Sequence, residues 1–334
     1  MSEVLAVEGL VQQFEGRYGL ADRIARRPRP ALRAVDGVDL VLREGETLGL
    51  VGESGCGKST LSRCVVGLYR PTAGVVRLAG EPIAGTPTRA QRRFVQMVFQ
   101  DPYSSLNPRM TVGQILGELL RYHRIVPRDQ VAKRSRELLD LVGLPYRALG
   151  QTPRQFSGGQ RQRIGIARAL ALEPKVLIAD EPVSALDVSV QANIINLLLD
   201  LKQTLGLSMI FVSHNIAVVR QVSDRTAVMY RGRIIETGPT EQVFLEPSHP
   251  YTRLLLGSVP RLVTHVAAGG AATAIPAEPV PPAALPTATA EVGGCRYRDR
   301  CPVALPACAT EPGLRLISDD GEEGHLAACQ HVPG

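Results

Sequence analysis

The chain has 334 residues, of which 44% are hydrophobic, enough to build a packed core in one large domain or two smaller ones. Its net charge of +6 suits an anionic partner, whether nucleotide, nucleic acid or lipid headgroup. No apolar run approaches the roughly 18 residues of a membrane-spanning helix, and the acid at position 3 is unlike the basic start of a secretory signal. These features favour a cytosolic globular protein and argue against secreted and membrane-spanning classes.

Hydrophobic periodicity predicts an alternation of strands and helices. Short, wholly apolar segments such as "KVLIAD" are typical of strands in a parallel sheet covered on both faces. The predicted elements are, in chain order, strands at 4–10, 38–42 and 47–51, a helix from Lys58 to about Leu68, helices at 112–122, 129–142 and 158–171, a strand at 175–180, a helix at 188–205, a strand at 208–213, and a hairpin over 226–238 that turns at Arg231-Gly232. The sequence therefore predicts the α/β class.

A glycine-rich loop follows the third predicted strand. Gly52-x4-Gly57-Lys58-Ser59 matches the P-loop pattern in full, with a strand before it and a helix after it. In such a loop the backbone N–H groups, here from Gly55 to Thr60, cradle phosphate oxygens, the lysine reaches the β- and γ-phosphates, and the serine hydroxyl binds Mg²⁺. A simple glycine turn before a helix is the alternative, but it does not explain Lys58.

Two acids end the strand "KVLIAD". Asp180 and Glu181 fall at its carboxyl end, where open α/β sheets bind ligands. Asp180 is predicted to hold Mg²⁺ through water, and Glu181 to orient and polarise the attacking water. The alternative is a pair of surface acids, which rarely end a buried strand without a partner.

A second anion-binding helix start lies between these motifs. Ser157, Gly158 and Gly159 open the amphipathic helix predicted at 158–171, so exposed amides and the helix dipole favour an anion there. The alternative is an ordinary serine cap followed by flexible glycines.

The order of these motifs resembles that of ABC transporter ATPase subunits. The P-loop, Gln100, "FSGGQ", "ADEP", "SALD" and the strand-end His214 follow one another at the family's approximate spacing, over about residues 3–260. The resemblance implies a RecA-like core, an antiparallel β subdomain and a helical subdomain at about 101–172, together forming an ATPase domain over 1–261. The Ala/Pro/Gly-rich stretch 262–294 is predicted to be a linker, and 295–334 a small cysteine-containing tail.

The resemblance also implies individual roles. Gln100 is similar to the residue that senses Mg²⁺ and the membrane subunit, and Ser157 to Gln160 resemble the signature that closes on the γ-phosphate held by the opposite subunit. Asp187 resembles the D-loop aspartate and His214 the switch histidine, while Phe14 stands where an aromatic stacks on adenine; Phe14 or Tyr18 could equally pack against the hairpin. Phe156 replaces the usual leucine of the signature, a mild departure.

The expected site residues therefore form three sets. Nucleotide binding is assigned to Phe14, Gly52, Ser54, Gly55, Cys56, Gly57, Lys58, Ser59, Thr60, Gln100, Ser157, Gly158, Gly159, Gln160, Asp180 and Asp187. Catalysis is assigned to Glu181, His214 and Gln100, and Mg²⁺ binding to Ser59, Gln100 and Asp180. If each signature serves a nucleotide on the other subunit, ATP is buried between two subunits and holds them together.

Longer stretches resemble the oligopeptide/dipeptide importer branch. They are "GESGCGKSTLSR", "FQDPYSSLNPRMTVGQI" and "EPSHPYTRLLLGSVP". An insertion with six arginines between 17 and 33 resembles that of the branch's F-type subunit; it is either a solvated loop or a contact for lipid headgroups or a partner.

Six cysteines divide into two groups. Cys56 and Cys64, in and just after the P-loop, are predicted to be packing residues. The other four, in the last 40 residues, suit a metal site better than a disulfide set in a reducing compartment. Their spacing resembles the C-terminal cysteine set of the importer branch, which implies a [4Fe–4S] cluster that organises the tail; zinc and unliganded thiols are the alternatives. These residues are Cys295, Cys301, Cys308 and Cys329.

The resemblance implies an ATP hydrolase that powers peptide uptake. Its expected partners are a homologous D-type ATPase subunit, two transmembrane permease subunits and an extracytoplasmic peptide-binding protein, with no nucleic acid, and its expected place is the cytoplasmic face of the membrane. Importers of nickel, glutathione or sugars use similar ATPase subunits. A soluble ABC ATPase acting on nucleic acid is the rival from another class, but it predicts two ATPase units or a long insertion, and neither is present.

Overall fold

The structure is a computed structural model that describes residues 2–15, 31–184, 186–257, 293–318 and 324–332. Most of the predicted arginine-rich insertion and nearly all of the predicted linker lie outside these ranges. Within the described residues, none of the helices is both long enough and apolar enough to span a bilayer.

A four-stranded antiparallel sheet is built mainly from the start of the chain. Its spatial order is β2-β1-β4-β5, where the strands are β1 (Glu3–Glu15), β2 (Ala31–Arg43), β4 (Ala73–Leu78) and β5 (Glu81–Pro82). Leu5 and Val7 alternate with more exposed neighbours and are buried, and an irregularity in the pairing after Val7 brings Leu10 to the same buried face. This sheet therefore has one apolar face, which packs over the P-loop region.

A larger sheet of eight strands forms the centre. Its spatial order is β11-β12-β10-β9-β3-β8-β7-β6. The strands are β3 (Thr47–Val51), β6 (Val95–Val98), β7 (Val176–Asp180), β8 (Ser208–Val212), β9 (Arg225–Tyr230), β10 (Arg233–Pro239), β11 (Arg315–Ser318) and β12 (His325–Ala327). Strands β6, β7, β8, β3 and β9 run parallel. Every residue of β3, β7 and β8 is buried, as expected for parallel strands covered on both faces.

The α-helices cover that sheet and fill the interval between β6 and β7. They are α1 (Lys58–Val65), α2 (Arg89–Phe94), α3 (Pro102–Ser105), α4 (Val112–Tyr122), α5 (Val131–Leu141), α6 (Gly158–Leu170), α7 (Val188–Leu205), α8 (Ile216–Val222), α9 (Thr240–Leu245) and α10 (Pro250–Gly257). Every regular element between β6 and β7 is helical, with an interior that includes Leu116, Leu120, Leu138 and Leu139. Helix α4 starts at Thr111, whose side chain and that of Gln114 cap each other's backbone amides.

The structure confirms most of the predicted elements. The predictions for β3, α4 and α7 match their bounds residue for residue. The helix predicted to reach Leu68 ends at Val65, because the chain turns at Gly67 and the amide of Leu68 bonds back to the carbonyl of Arg63 (2.8 Å). The predicted hairpin is formed by β9 and β10.

The described part of the C-terminal tail joins the central sheet. Strand β12 pairs with β10, and β11 pairs with β12, so the tail extends the sheet by two strands. The carboxylate of Glu236, fully buried in β10, accepts hydrogen bonds from the amides of Ser248 (2.7 Å) and His249 (2.9 Å) and pairs with Nε2 of His325 (2.7 Å). One buried acid thus ties the tail and the segment before α10 to the sheet.

A prediction about pH follows from His249. Burial lowers the pKa of its imidazole to about 4, whereas an exposed histidine titrates near 6.5. Between these values the unfolded chain binds a proton that the folded chain does not, so this group makes stability fall as pH falls through that window. His249→Asn keeps a side-chain acceptor for the amide of Tyr251 but removes the titration.

We expect the loss of unfolding free energy between pH 7 and pH 5 to be smaller in His249→Asn by about 2 kcal/mol. Urea denaturation at both pH values measures this difference, and any pH-independent cost of the substitution cancels from it. Equal losses in the two proteins would contradict the assignment.

Candidate active site

The P-loop lies between β3 and α1 and encloses the amino group of Lys58. Nζ of Lys58 donates to the carbonyl oxygens of Gly52 (2.7 Å) and Glu53 (3.0 Å), and the side chain is almost fully buried. The loop therefore wraps around one positive charge at the start of a helix. This geometry combines a cation, free helix-start amides and the positive end of a helix dipole, which together suit a phosphate chain.

Two glycines allow the loop to lie close to neighbouring backbone. Gly52 (φ +153°) and Gly57 (φ +112°) both have backbone angles that other residues rarely adopt. A Cβ atom on Gly52 would lie 2.1 Å from the carbonyl oxygen of Met229, and one on Gly57 would lie 2.1 Å from that of Ala34. Any side chain at either position would push the loop away from β9 or β2.

A hydroxyl and a carboxylate meet beside the P-loop. Oγ of Ser59 donates to Oδ1 of Asp180 (3.0 Å), although the residues are 121 positions apart. Burial raises the pKa of Asp180 above its ordinary value, and the hydrogen bond from Ser59 opposes that shift. Mg²⁺ prefers oxygen ligands and commonly takes one or two carboxylates together with substrate phosphates, so this pair fits the cation. Bound Mg²⁺ would favour the ionised carboxylate.

Three predicted catalytic residues converge on one carboxylate. Oε2 of Glu181 accepts a hydrogen bond from Nε2 of Gln100 (3.0 Å) and lies 3.3 Å from Nδ1 of His214. The three residues follow β6, β7 and β8, which are neighbours in the sheet and run parallel, so their carboxyl ends share an edge. Glu181 has φ +46°, a left-handed conformation that is strained for a residue other than glycine and often found at functional sites.

Phe14 lies at the end of β1, half-buried against Tyr69. The two rings meet edge to face with centroids 5.4 Å apart. Tyr18 lies outside the described residues. Stacking of Phe14 on adenine remains a prediction.

The signature lies against the D-loop and the start of α7: a Cβ on Gly158 would lie 3.1 Å from the side chain of Leu186. Ser157 caps α6 in a reciprocal pair of hydrogen bonds with Gln160 (3.0 and 3.3 Å). A Cβ on Gly159 would lie 2.5 Å from a methyl carbon of Val190 in α7, so the glycine lets the two helices approach closely. Asp187, at the start of α7, is exposed. These residues present their polar groups on an outer surface.

The cysteines near the P-loop are buried. Cys56 and Cys64 are each at most 3% exposed, and burial raises the pKa of Cys64 to about 12. Sγ of Cys64 lies 3.7 Å from the side-chain oxygen of Gln12. Burial and a neutral thiol are what packing residues require.

The four tail cysteines lie near one another and form no disulfide. Burial raises the pKa of Cys295, and the neighbouring thiols of Cys308, Cys329 and Cys301 add to that shift. Four free thiols are a suitable donor set for a soft metal or a cluster. Yet in the described ranges no three His, Cys, Asp or Glu side chains are arranged to hold a metal ion. The iron–sulfur cluster therefore remains a prediction.

Sequence reasoning missed two residues that touch the P-loop. The hydroxyl of Tyr251 accepts a hydrogen bond from the amide of Glu53 (2.8 Å), and the guanidinium of Arg300 pairs with the Glu53 carboxylate. Nothing local in the sequence marks these contacts, because they join positions about 200 and 250 residues apart in the chain.

Comparison with known proteins agrees with this geometry. The family model for the ABC transporter matches residues 35–184, and the model for the oligopeptide/dipeptide transporter C-terminal region matches 235–308. The chain belongs to the ATP-binding proteins of ABC transporters. Within them, its C-terminal match assigns it to the oligopeptide/dipeptide transporter branch.

Individual relatives support the same assignment. The oligopeptide transport ATP-binding protein OppF of Escherichia coli is 47% identical over 92% of this chain and 90% of its own length. A peptide import ATP-binding protein of Brucella ovis is 43% identical over 98% of this chain and 97% of its own length. Among solved structures, the dimeric ATP-binding cassette MJ0796 bound to ADP and Pi is 28% identical, with a TM-score of 0.61, over 71% of this chain and 98% of that one.

A single substitution tests the role of the shared carboxylate. We expect Glu181→Gln to bind ATP normally but to lower the hydrolysis rate by at least about a hundredfold, since an amide cannot accept the proton of the attacking water. Asp200→Asn, an equally conservative change at an exposed acid on α7, is the matched control. Equilibrium binding and phosphate release are measured on both variants. Wild-type turnover by Glu181→Gln would remove this residue from catalysis.

Proposed function

We propose that this chain hydrolyses ATP to drive an importer of di- or oligopeptides. The observation that carries the proposal is the convergence of Gln100, Glu181 and His214 beside a P-loop whose serine bonds to Asp180. This site supplies both parts of a hydrolytic reaction, a phosphate cradle and a group that can orient water. The peptide cargo is supported by the names of the relatives and by the C-terminal family match.

In the proposed reaction Lys58 and the amides from Gly55 to Thr60 bind the β- and γ-phosphates. Ser59 and Asp180 would hold Mg²⁺, which neutralises charge on the phosphates when bound. Glu181 orients the attacking water and accepts its proton, and Gln100 and His214 fix the position of that carboxylate. Positioning and electrostatics are the main sources of catalysis in phosphoryl transfer, so these contacts are the ones that matter most.

The signature is proposed to complete a site on a second ATPase subunit. Two observations support this: Ser157, Gln160 and Asp187 are exposed, and their described contacts stay within the helical region and α7. A helix start with free amides facing outward can bind a γ-phosphate that another subunit presents. A homologous D-type subunit is the proposed partner, in keeping with the F-type resemblance of this chain.

A groove between the central sheet and the helical region is proposed to receive a permease subunit. The groove encloses about 670 Å³ and combines apolar side chains with arginines; its lining includes Leu68, Met97, Phe99, Arg70, Arg92 and Arg168. This lining suits an amphipathic helix that carries an acidic residue. Phe99 directly precedes Gln100, so an occupant of the groove would lie next to the candidate catalytic residues.

Two such permeases, with an extracytoplasmic peptide-binding protein acting through them, would place this chain at the cytoplasmic face of the membrane.

The charge of the groove affects a histidine on its wall. Burial, with the nearby positive charges of Arg89, Arg93 and Arg92, lowers the pKa of His123 on the groove wall. The arginines that line the groove, Arg70, Arg92 and Arg168, give it the positive charge that an acidic partner helix requires.

The tail cysteines are proposed to hold a [4Fe–4S] cluster. The support is the donor set of four free thiols near one another, with Pro302 beside Cys301. Zinc and unliganded thiols are the other outcomes. Iron, zinc and acid-labile sulfide content of protein purified without oxygen distinguishes the three.

Purification from membranes tests the transport proposal. We expect affinity-tagged chain to elute from detergent-solubilised membranes with integral membrane proteins, and Lys58→Ala cells to lose uptake of a labelled tripeptide while the complex still assembles. Retained peptide uptake with loss of nickel or glutathione uptake would reassign the cargo. Elution with nucleic acid in a salt-dependent manner, without membrane proteins, would overturn the proposal in favour of a nucleic-acid ATPase.

A further inference from the structure

A short tail segment between two cysteines lies against the P-loop. The segment is 295–301, and its Arg300 makes two parallel hydrogen bonds with the carboxylate of Glu53, from Nη1 to Oε2 (3.1 Å) and from Nη2 to Oε1 (3.2 Å). Glu53 is the second residue of the P-loop. Both side chains are mostly buried, at 18% and 29% exposure. A two-point arginine–carboxylate pair in such surroundings fixes orientation as well as distance.

Glu53 connects Arg300 to the lysine of the P-loop. Its backbone carbonyl accepts a hydrogen bond from Nζ of Lys58 (3.0 Å), and its amide donates to the hydroxyl of Tyr251 (2.8 Å). The side chain, amide and carbonyl of Glu53 are thus each held by a different part of the chain. Moving its carboxylate would displace the carbonyl that orients Lys58.

Aromatic packing holds the segment in place. Tyr297 is 3% exposed, and its ring meets those of Tyr230 and Tyr251 with centroids 5.3 and 5.5 Å apart. Tyr251 is the same residue that binds the amide of Glu53. Three tyrosines therefore form a rigid base under Arg300, since edge-to-face pairs favour a fixed geometry.

The segment is also connected to the P-loop through the hairpin turn at Arg231-Gly232. Arg296 donates hydrogen bonds to the carbonyl of Arg231 and to the carboxylate of Asp36, and the next amide, of Gly232, donates to the carbonyl of Cys56 in the P-loop (2.7 Å). Burial of Asp36 opposes its ionisation, but the hydrogen bond with Arg233 and the charge of Arg296 outweigh it and lower its pKa. The segment thus contacts the start of the loop directly, at Glu53, and reaches its middle through the hairpin turn that bonds to Cys56.

We propose that segment 295–301 is a positioning element for the P-loop, with Arg300 as its principal positioning residue. Arg300 acts through Glu53 in two ways: it fixes the loop in the shape that Lys58 and the amides need, and it neutralises a carboxylate that would otherwise repel nucleotide phosphates. The proposal rests on the proposed role of the P-loop in ATP binding. It gives the tail a part in ATP affinity that is independent of whether the cysteines bind a metal.

Kinetics of the complete transporter test this proposal. We expect Arg300→Gln to raise KM for ATP by about threefold to tenfold with kcat changed by less than about twofold, because the contact shapes the ground-state site rather than the reacting groups. Arg300→Glu should raise KM further. Arg300→Lys should recover part of the loss, since an ammonium restores the charge but not the two-point geometry. Arg315→Gln changes an exposed arginine of the tail that lies outside the segment; it is the matched control and should keep wild-type constants.

A charge swap separates positioning from general destabilisation. If the pair acts as described, Glu53→Arg combined with Arg300→Glu should have a KM well below that of either single variant. If the two substitutions only destabilise the structure, their effects should add and the double variant should have the highest KM. Wild-type KM in Arg300→Gln, or a swap no better than its parents, would overturn the proposal. Lys58→Ala distinguishes failure of this proposal from failure of the proposed function. If Lys58→Ala loses ATP binding, the proposed function stands whatever the result for Arg300. If Lys58→Ala binds ATP normally, both the role of the P-loop and the role of Arg300 are refuted.

Discussion

The candidate site depends on the parallel register of three neighbouring strands. Because β6, β7 and β8 run in the same direction, the residues that follow them meet at one edge of the sheet. Gln100 and His214 consequently reach the carboxylate of Glu181, within 3.0 and 3.3 Å. A change in register of any of these strands would separate the groups, since each step along a strand is about 3.3 Å.

The same sheet also sets the position of the P-loop. Strand β3 lies next to β8 and is buried at every residue, so the loop leaves the sheet beside the strand ends that carry the acids. This places Ser59 against Asp180. The loop is also confined from outside, by the carbonyls of Ala34 and Met229 and by the tail at Glu53. A loop that must bind phosphate thus has little freedom left to lose on binding, which favours affinity.

Sequence could predict the features that depend on local pattern. The P-loop, the acids after β7 and the bounds of α4 and α7 follow from motif and periodicity, because these elements are long or strongly marked. The first part of β2, strands β4 and β6 and the short strands of the tail are not predicted, because they are short or carry little periodic signal. The pairing of Arg300 with Glu53 lies beyond local pattern altogether, since the fold alone brings position 300 to position 53.

In the tail, too, some features follow from local sequence pattern and others only from the fold. Its four cysteines are conspicuous in the sequence and predict a metal site, although the described residues contain no group already arranged to hold a metal ion. Its direct contact with the P-loop comes instead from Arg300, which belongs to no motif, and Tyr297 packs beside it on Tyr230 and Tyr251. A recognisable motif is therefore a poor guide to which tail residues contact the P-loop: the tail's motif consists of cysteines, whereas Arg300 makes the contact.

A double-mutant cycle between Gln100→Ala and Glu181→Gln tests the central claim most directly. Single-turnover hydrolysis rates of the wild type, both single variants and the double variant give the coupling between the two side chains. If they act as one unit on the attacking water, the double variant should be hardly slower than Glu181→Gln alone. A double variant whose loss equals the product of the two single losses would show that the residues act independently, and would contradict the shared carboxylate as the basis of this site.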